Sequence, residues 1–477
     1  MKNSFSSLKA SSVLQLPDVF FKEVQADSFP SPEVVVYNQS LADTYGLTSP
    51  NPSALAVFLA GMKVPVQLRP VALAYAGHQF GYFNMLGDGR AMLVGEFGSA
   101  PHKRAELQLK GSGQTPFSRR GDGKATLGSM LREYLMSEAM HSLGVSTTRS
   151  LSVVRTGESV YRRDISAGAV LGRMSASHLR VGTFEYAARF TTAKQQAALL
   201  KYTIDRLDPS LHDTNNPALA LLRMVRDRQI SLITDWMRVG FIHGVMNTDN
   251  MSIVGETIDY GPCAFMNAYN PQTVFSSIDT EGRYAFGNQP KIAGWNLAVF
   301  ASTLLPHLAD DQSSAIDLAR SVLDPFETKF HEAWYNMMFR KLGILSAVES
   351  DKQLVDDLLA LLIVQKADYT NTFASLSLNI DIHPSLMNSR KFLEWKTGWE
   401  NRIAPTRLAS LRLMSEVNPI YIPRNYLVEE AITNAENGDM HTFHELLTTL
   451  HAPYTTQQGL QTVPPEFDAG YQTYCGT

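Results

Sequence analysis

Residues 243–261 constrain this chain more than any other stretch. They run His243-Gly244-Val245-Met246-Asn247-Thr248-Asp249-Asn250, then the apolar-rich 251–254, the pair Gly255-Glu256, and Thr257-Ile258-Asp259-Tyr260-Gly261. A polar loop, a short strand, a Gly-containing turn and a second short strand spell a small hairpin. A hairpin returns its two ends to one place, so Asn250 and Asp259 are expected side by side with oxygen atoms available. One amide and one carboxylate oxygen suit a hard divalent cation such as Mg²⁺, which takes few protein ligands and keeps positions for water and phosphate.

The same order of parts builds the metal site of the protein-kinase fold: a His-led catalytic loop, an Asn on metal, a hairpin, and an Asp-aromatic-Gly on metal. One part is displaced. The kinase base Asp stands two residues after the His, where this chain has Val245; its carboxylate is Asp249, directly before Asn250. Asp249 is therefore the candidate proton acceptor for a hydroxyl nucleophile, with an outer contact to the metal as the alternative. His243 is expected to order the loop by hydrogen bonding rather than to act in catalysis.

Composition narrows the class. With 477 residues, 44% hydrophobic and 18% charged, the chain can bury a sizeable core as an ordinary globular protein. A net charge of −4 supplies no field for nucleic acid or an anionic membrane. The two cysteines, Cys263 and Cys475, exclude a disulfide framework and a Cys-based zinc site. No apolar core with a cleavage site follows Lys2 and Lys9, and the longest apolar run, near residues 358–364, is far below the roughly 20 residues of a membrane span. The expected setting is a reducing cytoplasm, and the expected form a monomer. No HExxH, GxxxxGK[ST] or Ser-His-Asp arrangement supports a hydrolase or P-loop reading.

Four parts follow from the patterning. Residues 1–65, with Pro at 17, 30, 32, 50, 52 and 65, read as an irregular N-terminal extension. Residues 66–170 read as a sheet lobe, with strands over 91–97, 106–110, 150–155 and 159–163 and one helix over 127–143 closed by Gly144; residues 168–174 form a further strand leading out. Residues 171–345 read as a helical lobe that carries the catalytic and metal loops, with apolar residues at helical spacing over 194–207, 217–239, 295–308 and 315–342, the last broken at Pro325. Residues 346–477 read as additional helices, broken near Pro384, Pro419 and Pro423, and a tail from Pro464. The expected fold is α+β, a protein-kinase-like two-lobed fold with an N-terminal extension and extra C-terminal helices.

Several segments could serve a nucleotide. Gly87-Asp88-Gly89-Arg90 precedes a strand; its backbone N–H groups can approach phosphate and Arg90 can add a charge-assisted bond, although a plain β-turn has the same composition. Lys110 ends a strand before Gly111-Ser112-Gly113, where a kinase-like fold holds phosphates; an isolated strand Lys is otherwise a solvated edge residue. Glu133 and Glu138 lie on the following helix, and periodicity does not choose between them as the partner of Lys110. Ser118-Arg119-Arg120-Gly121-Asp122-Gly123-Lys124 is a basic, Gly-rich loop that could cover a triphosphate, or a surface loop. Arg173 and Arg180, just past the lobe junction, would favour polyphosphate, or else be ion-paired.

Together these segments resemble the selenoprotein O (SelO) family of pseudokinase protein adenylyltransferases. The matching stretches are Tyr75-Ala76-Gly77-His78-Gln79-Phe80-Gly81, Leu86-Gly87-Asp88-Gly89-Arg90-Ala91, Leu107-Gln108-Leu109-Lys110-Gly111, Arg132-Glu133-Tyr134-Leu135-Met136-Ser137-Glu138-Ala139-Met140, residues 243–250, Asp259-Tyr260-Gly261-Pro262, Glu281-Gly282-Arg283-Tyr284 and Trp295-Asn296-Leu297. The specificity lies in their joint order across most of the chain.

The resemblance implies a kinase-like fold in which ATP lies flipped, its γ-phosphate end buried. AMP then passes to a Ser, Thr or Tyr hydroxyl of a protein and pyrophosphate leaves. It implies nucleotide contacts from Gly87, Gly89, Arg90, Asp122 and Gly123, and a Lys110–Glu133 pair on phosphate. It further implies terminal-phosphate contacts from Arg173 and Arg180, Mg²⁺ or Mn²⁺ on Asn250 and Asp259, and Asp249 as proton acceptor. Transfer of UMP from UTP with Mn²⁺ is a close variant, self-modification is compatible, and family association points to redox-related targets. A kinase-fold phosphotransferase would instead release ADP, and a pseudokinase scaffold would bind nucleotide without turning it over. Two departures stand out. Family members under redox control pair a Cys near the C-terminus with one in the activation segment, but here residues 273–279 contain none. That leaves Cys263 as the one possible partner for Cys475, against the alternative of a buried apolar Cys263 and a free Cys475. Asn267 stands where Asp is expected, a change for structure rather than chemistry.

Overall fold

The computed structural model describes residues 7–47, 51–98, 104–378, 380, 384–456, 460–464 and 467–474. It is an α+β protein, with strands concentrated before residue 176 and helices after it. The strands are β1 (Phe21–Glu23), β2 (Glu33–Tyr37), β3 (Val71–Leu73), β4 (Ala76–Gln79), β5 (Tyr82–Met85), β6 (Ala91–Phe97), β7 (Ala105–Lys110), β8 (Ala125–Thr126), β9 (Arg149–Tyr161), β10 (Ile165–Ser175), β11 (Phe241–Ile242) and β12 (Ala264–Phe265). The main sheet runs β1-β3-β6-β7-β10-β9-β2, with β8 on β10; β4–β5 and β11–β12 form two separate pairs.

The stretch expected to be an irregular extension supplies two of these strands. β1 pairs with β3, and β2 pairs with β9. Burial on both faces of the sheet explains why. Every residue of β6 and β7 is buried. In β7, side chains alternate between faces: Glu106, Gln108 and Lys110 turn one way, while Leu107 and Leu109 join Met92, Leu41, Phe58 and Leu59 in a separate apolar cluster. The outer face would be wet without residues 24–68, so this Pro-dotted segment must fold onto it.

The inner face carries the helix Leu127–Ser142. Thr126 caps its first turn by accepting from the Ser129 amide, and Gly144, at φ 75°, closes the other end with the amide bonds Gly144 to His141 and Val145 to Met140. The αL conformation is what Gly allows there at little cost. β9 is one strand instead of the two expected. Its register with β10 slips across residues 156–158, a bulge with Gly157 at φ 81°, and pairing resumes at Ser159. In the helical half, Pro217–Val239 forms as expected, and Pro325 separates Gln312–Leu323 from Phe326–Lys341.

Candidate active site

The hairpin expected over residues 251–259 does not form. The turn is present, with Gly255 at φ 80° and its amide on Ser252 O, but its arms pair outward. The Val181 amide donates to Met251 O and that of Ile253 to Leu179 O, while the Thr148 amide donates to Thr257 O and that of Thr257 to Ser146 O. An isolated hairpin of three or four residues per strand is marginal, and these buried arms gain more by docking on the junction between the sheet and the helices. The loop is instead clamped at its base, where β11 pairs with β12. His243 Nε2 donates to Ile258 O at 2.9 Å, and the residue is 1% exposed; it orders the loop as expected.

Glu256, in the outward-turned elbow, receives Ser175 Oγ at 2.6 Å and the Ala176 amide. Burial pushes its carboxyl up to about 7. In the unfolded chain it ionises near its ordinary 4.5, so the folded state loses stability as pH rises between these values. Glu256→Gln is expected to stabilise the protein by on the order of 2 kcal/mol at about pH 8 and to change little at about pH 5, read as urea midpoints.

Docking of the arms still brings Asn250 and Asp259 to one cleft of about 660 Å³. Arg90, Lys110, Arg119, Lys124, Arg162, Arg173 and Arg180 line it, against Asp88, Asp122, Asp249 and Asp259. At its floor Asp259, in the left-handed region at φ 65°, is caged by cations. Lys110 Nζ lies 2.6 Å from Oδ1, Arg173 2.7 Å from the same oxygen, and Arg180 3.0 Å from Oδ2. Burial would raise its carboxyl, but the charges of Arg173, Lys110 and Arg180 hold it well below the usual range. Lys110 and Arg173 also share Glu133, at 2.7 and 3.0 Å. The structure thus separates the two helix carboxylates that periodicity left open: Glu138 faces away, on Arg149 and Asn38.

Asp249 is 8% exposed, and burial pushes its carboxyl up to about 6. Its Oδ1 is buried with no hydrogen-bond partner. The β4–β5 pair lies against this loop, with the His78 amide on Thr248 Oγ1 at 2.7 Å and the Phe80 amide on Asn247 Oδ1 at 3.0 Å. Gly77 lets it approach, because a Cβ there would sit 2.8 Å from Asp249 Oδ1.

Gly87, Gly89, Asp122 and Gly123 line the same cleft. The turn at 87–90 is roofed by Phe117, which a Cβ on Gly87 would meet at 2.4 Å. Asp122 is held by both terminal nitrogens of Arg162 at 2.8 Å, and the bond pulls its carboxyl down to about 2. Arg162 is a cleft residue that the sequence did not single out, since nothing in Arg162-Arg163 marks a partner 40 residues away. Tyr75 and Gln108 were missed as well: Arg180 stacks 4.6 Å over the Tyr75 ring, and Gln108 accepts from Arg173.

The donor set fits a hard divalent cation. Among the described residues no group of three or more His, Cys, Asp and Glu side chains is gathered, so an all-protein cage is absent. One Asn and one Asp beside an unpartnered Asp249 oxygen match a cation that completes its shell with phosphate and water. Cys263 is fully buried, and burial pushes its thiol up to about 12; Cys475 lies outside the described residues. Asn267 receives Arg424 at 2.6 Å, away from the cleft. Two other clefts, of about 800 and 690 Å³, open among the helices near Arg238 and Trp334 and contain none of these side chains. No helix among the described residues is long and apolar enough to cross a membrane.

Three relatives matched over nearly the whole chain share a name. Proteins named protein nucleotidyltransferase YdiU are 48% identical over 476 residues in Geobacillus kaustophilus (strain HTA426) and 49% identical over 476 residues in Anoxybacillus flavithermus (strain DSM 21510 / WK1), with 98% of each chain covered in both cases. The relative from Pelagibacter ubique (strain HTCC1062) is 48% identical over 471 residues, 97% of this chain and 98% of its own. The protein is an enzyme of the nucleotidyltransferase class. The model of the family described as protein adenylyltransferase SelO matches residues 5–451, and the chain belongs to that family.

Proposed function

We propose that the chain transfers AMP from ATP to Ser, Thr or Tyr hydroxyls of proteins and releases pyrophosphate, within a kinase-like two-lobed fold divided as 1–65, 66–170, 171–345 and 346–477. The observation that carries the reading is the cationic cage of Lys110, Arg173 and Arg180 around Asp259, in one cleft with Asn250. Asp259, Glu133 and, at 3.8 Å from Arg180, Asp88 balance these three cations, so a triphosphate can take the place of Asp259 once that carboxylate turns to a metal ion.

In this reading ATP lies flipped. Arg173 and Arg180 take the terminal phosphates, Lys110 is aimed by Glu133, and Gly87, Gly89, Arg90, Asp122 and Gly123 border the nucleotide. Asn250 and Asp259 would hold Mg²⁺ or Mn²⁺, which supplies charge neutralisation at the phosphates. Asp249, poised near neutrality with Oδ1 unpartnered, accepts the acceptor hydroxyl's proton. Positioning and electrostatics carry most of the rate. UMP transfer from UTP is the same chemistry with another base, and the setting is cytoplasmic, with redox-related proteins among the targets.

The test is intact-mass spectrometry of the chain and an added protein extract after incubation with ATP and Mg²⁺ or Mn²⁺. The expected result is AMP adducts with pyrophosphate released. Phosphate adducts with ADP would overturn the reading.

A further inference from the structure

Residues 471–474 are built into the mouth of the cleft. The Thr473 amide donates to Phe275 O at 2.8 Å, and the Ser277 amide donates to Thr473 O at 2.9 Å, a parallel bridge centred on Ser276. Thr473 Oγ1 donates to Pro262 O at 2.7 Å, three residues past Asp259, and Thr473 is only 4% exposed. Two residues earlier, Tyr471 meets Phe275 edge-on and gives its hydroxyl to Glu429 while receiving Arg132. Residues 471–473 are thus fixed by backbone pairing, a buried hydroxyl and an aromatic anchor. The next side chain, Tyr474, is 62% exposed and lines the cleft alongside Pro262, Ser277 and Ile278.

This is how an extended acceptor peptide would dock: main-chain bonds to an exposed edge hold it, and side chains beside the anchor are presented to the site. Here the occupant belongs to the same chain, which replaces a bimolecular encounter by an intramolecular one. Ser277 also borders the cleft, but its amide is pinned in the bridge and its side chain is short. Tyr474 has reach and an unburied phenol.

We propose that Tyr474 is an acceptor hydroxyl in cis, modified by this chain's own nucleotidyl transfer; the inference rests on the function proposed above. The phenolic oxygen bonds to the α-phosphorus of ATP, the bond from that phosphorus to the bridging oxygen breaks, pyrophosphate leaves, and the phenolic proton passes to Asp249.

The experiment is peptide mapping of the full chain after incubation with ATP and Mn²⁺, beside Tyr474→Phe, Thr473→Pro and an added protein extract. The expected result is AMP on Tyr474, its rate constant unchanged over a tenfold dilution of enzyme. Tyr474→Phe should remove that adduct. Thr473→Pro, which keeps the phenol but deletes the amide donor to Phe275, should slow it at least tenfold. AMP on extract proteins with Tyr474 unmodified would overturn the inference and leave the proposed function standing. AMP on Ser277 instead, or a Tyr474 rate that falls in proportion to dilution, would also overturn it. Absence of AMP from every protein would overturn both readings.

Discussion

Asp259→Ala is expected to lower nucleotidyl transfer on the order of 10³-fold while leaving metal-free ATP binding intact. The two effects separate because Asp259 has two partners in this reading. Without nucleotide it neutralises Lys110, Arg173 and Arg180. With nucleotide those cations turn to phosphate and the carboxylate to the divalent ion. Removing it deletes the metal ligand, but it also leaves the three cations without their shared counter-ion, and ATP can take that place. Calorimetry of ATP binding in EDTA, beside a transfer assay with Mn²⁺, reads both. Full activity in Asp259→Ala would refute the mechanism. The variant should fold, since Lys110 and Arg173 keep Glu133 as a partner.

Lys110→Ala is expected to fail differently, at binding as well as transfer. Its ammonium, like the Arg173 guanidinium, touches both Glu133 and Asp259, and it sits at the end of a fully buried strand. We expect ATP affinity to drop about tenfold and kcat/KM by about 10²- to 10³-fold, about 3–4 kcal/mol of transition-state stabilisation. Arg173 still pairs with Glu133 at 3.0 Å, so the helix carboxylate is not stranded and thermal stability should change little. Unchanged ATP affinity would remove Lys110 from the phosphate site.

Much of the site was legible because its parts are local. The strand ending in Lys110, the helix capped at Gly144 and the Asp249-Asn250 and Asp259-Tyr260-Gly261 segments each carry a short-range signal; Lys110, Asp249, Asn250 and Asp259 line one cleft, and the helix reaches it through Glu133 on Lys110. The choice between Glu133 and Glu138 was not legible. Both are almost wholly buried on a helix with buried residues on all sides, so no polar face exists to point with, and only the positions of Lys110 and Arg149 decide. The 251–259 hairpin failed for a related reason: the turn chemistry of Gly255 is local, but the strand partners, residues 179–181 and 146–148, are remote. β1 spans three residues, too few for any alternation to register, and β2 lay in a Pro-dotted stretch that hid a plain Val-Val-Val run.

The outer cover of the sheet has a consequence for biosynthesis. β2 leaves the ribosome early, yet its partner β9 begins only at Arg149. At the roughly 5–20 residues per second of translation, the segment containing Phe29, Leu41, Phe58 and Leu59 waits many seconds with its apolar side chains unburied. A nascent chain that stops short of Tyr161 is therefore a sticky client for holdase chaperones, and release from them should coincide with synthesis of β9 and β10.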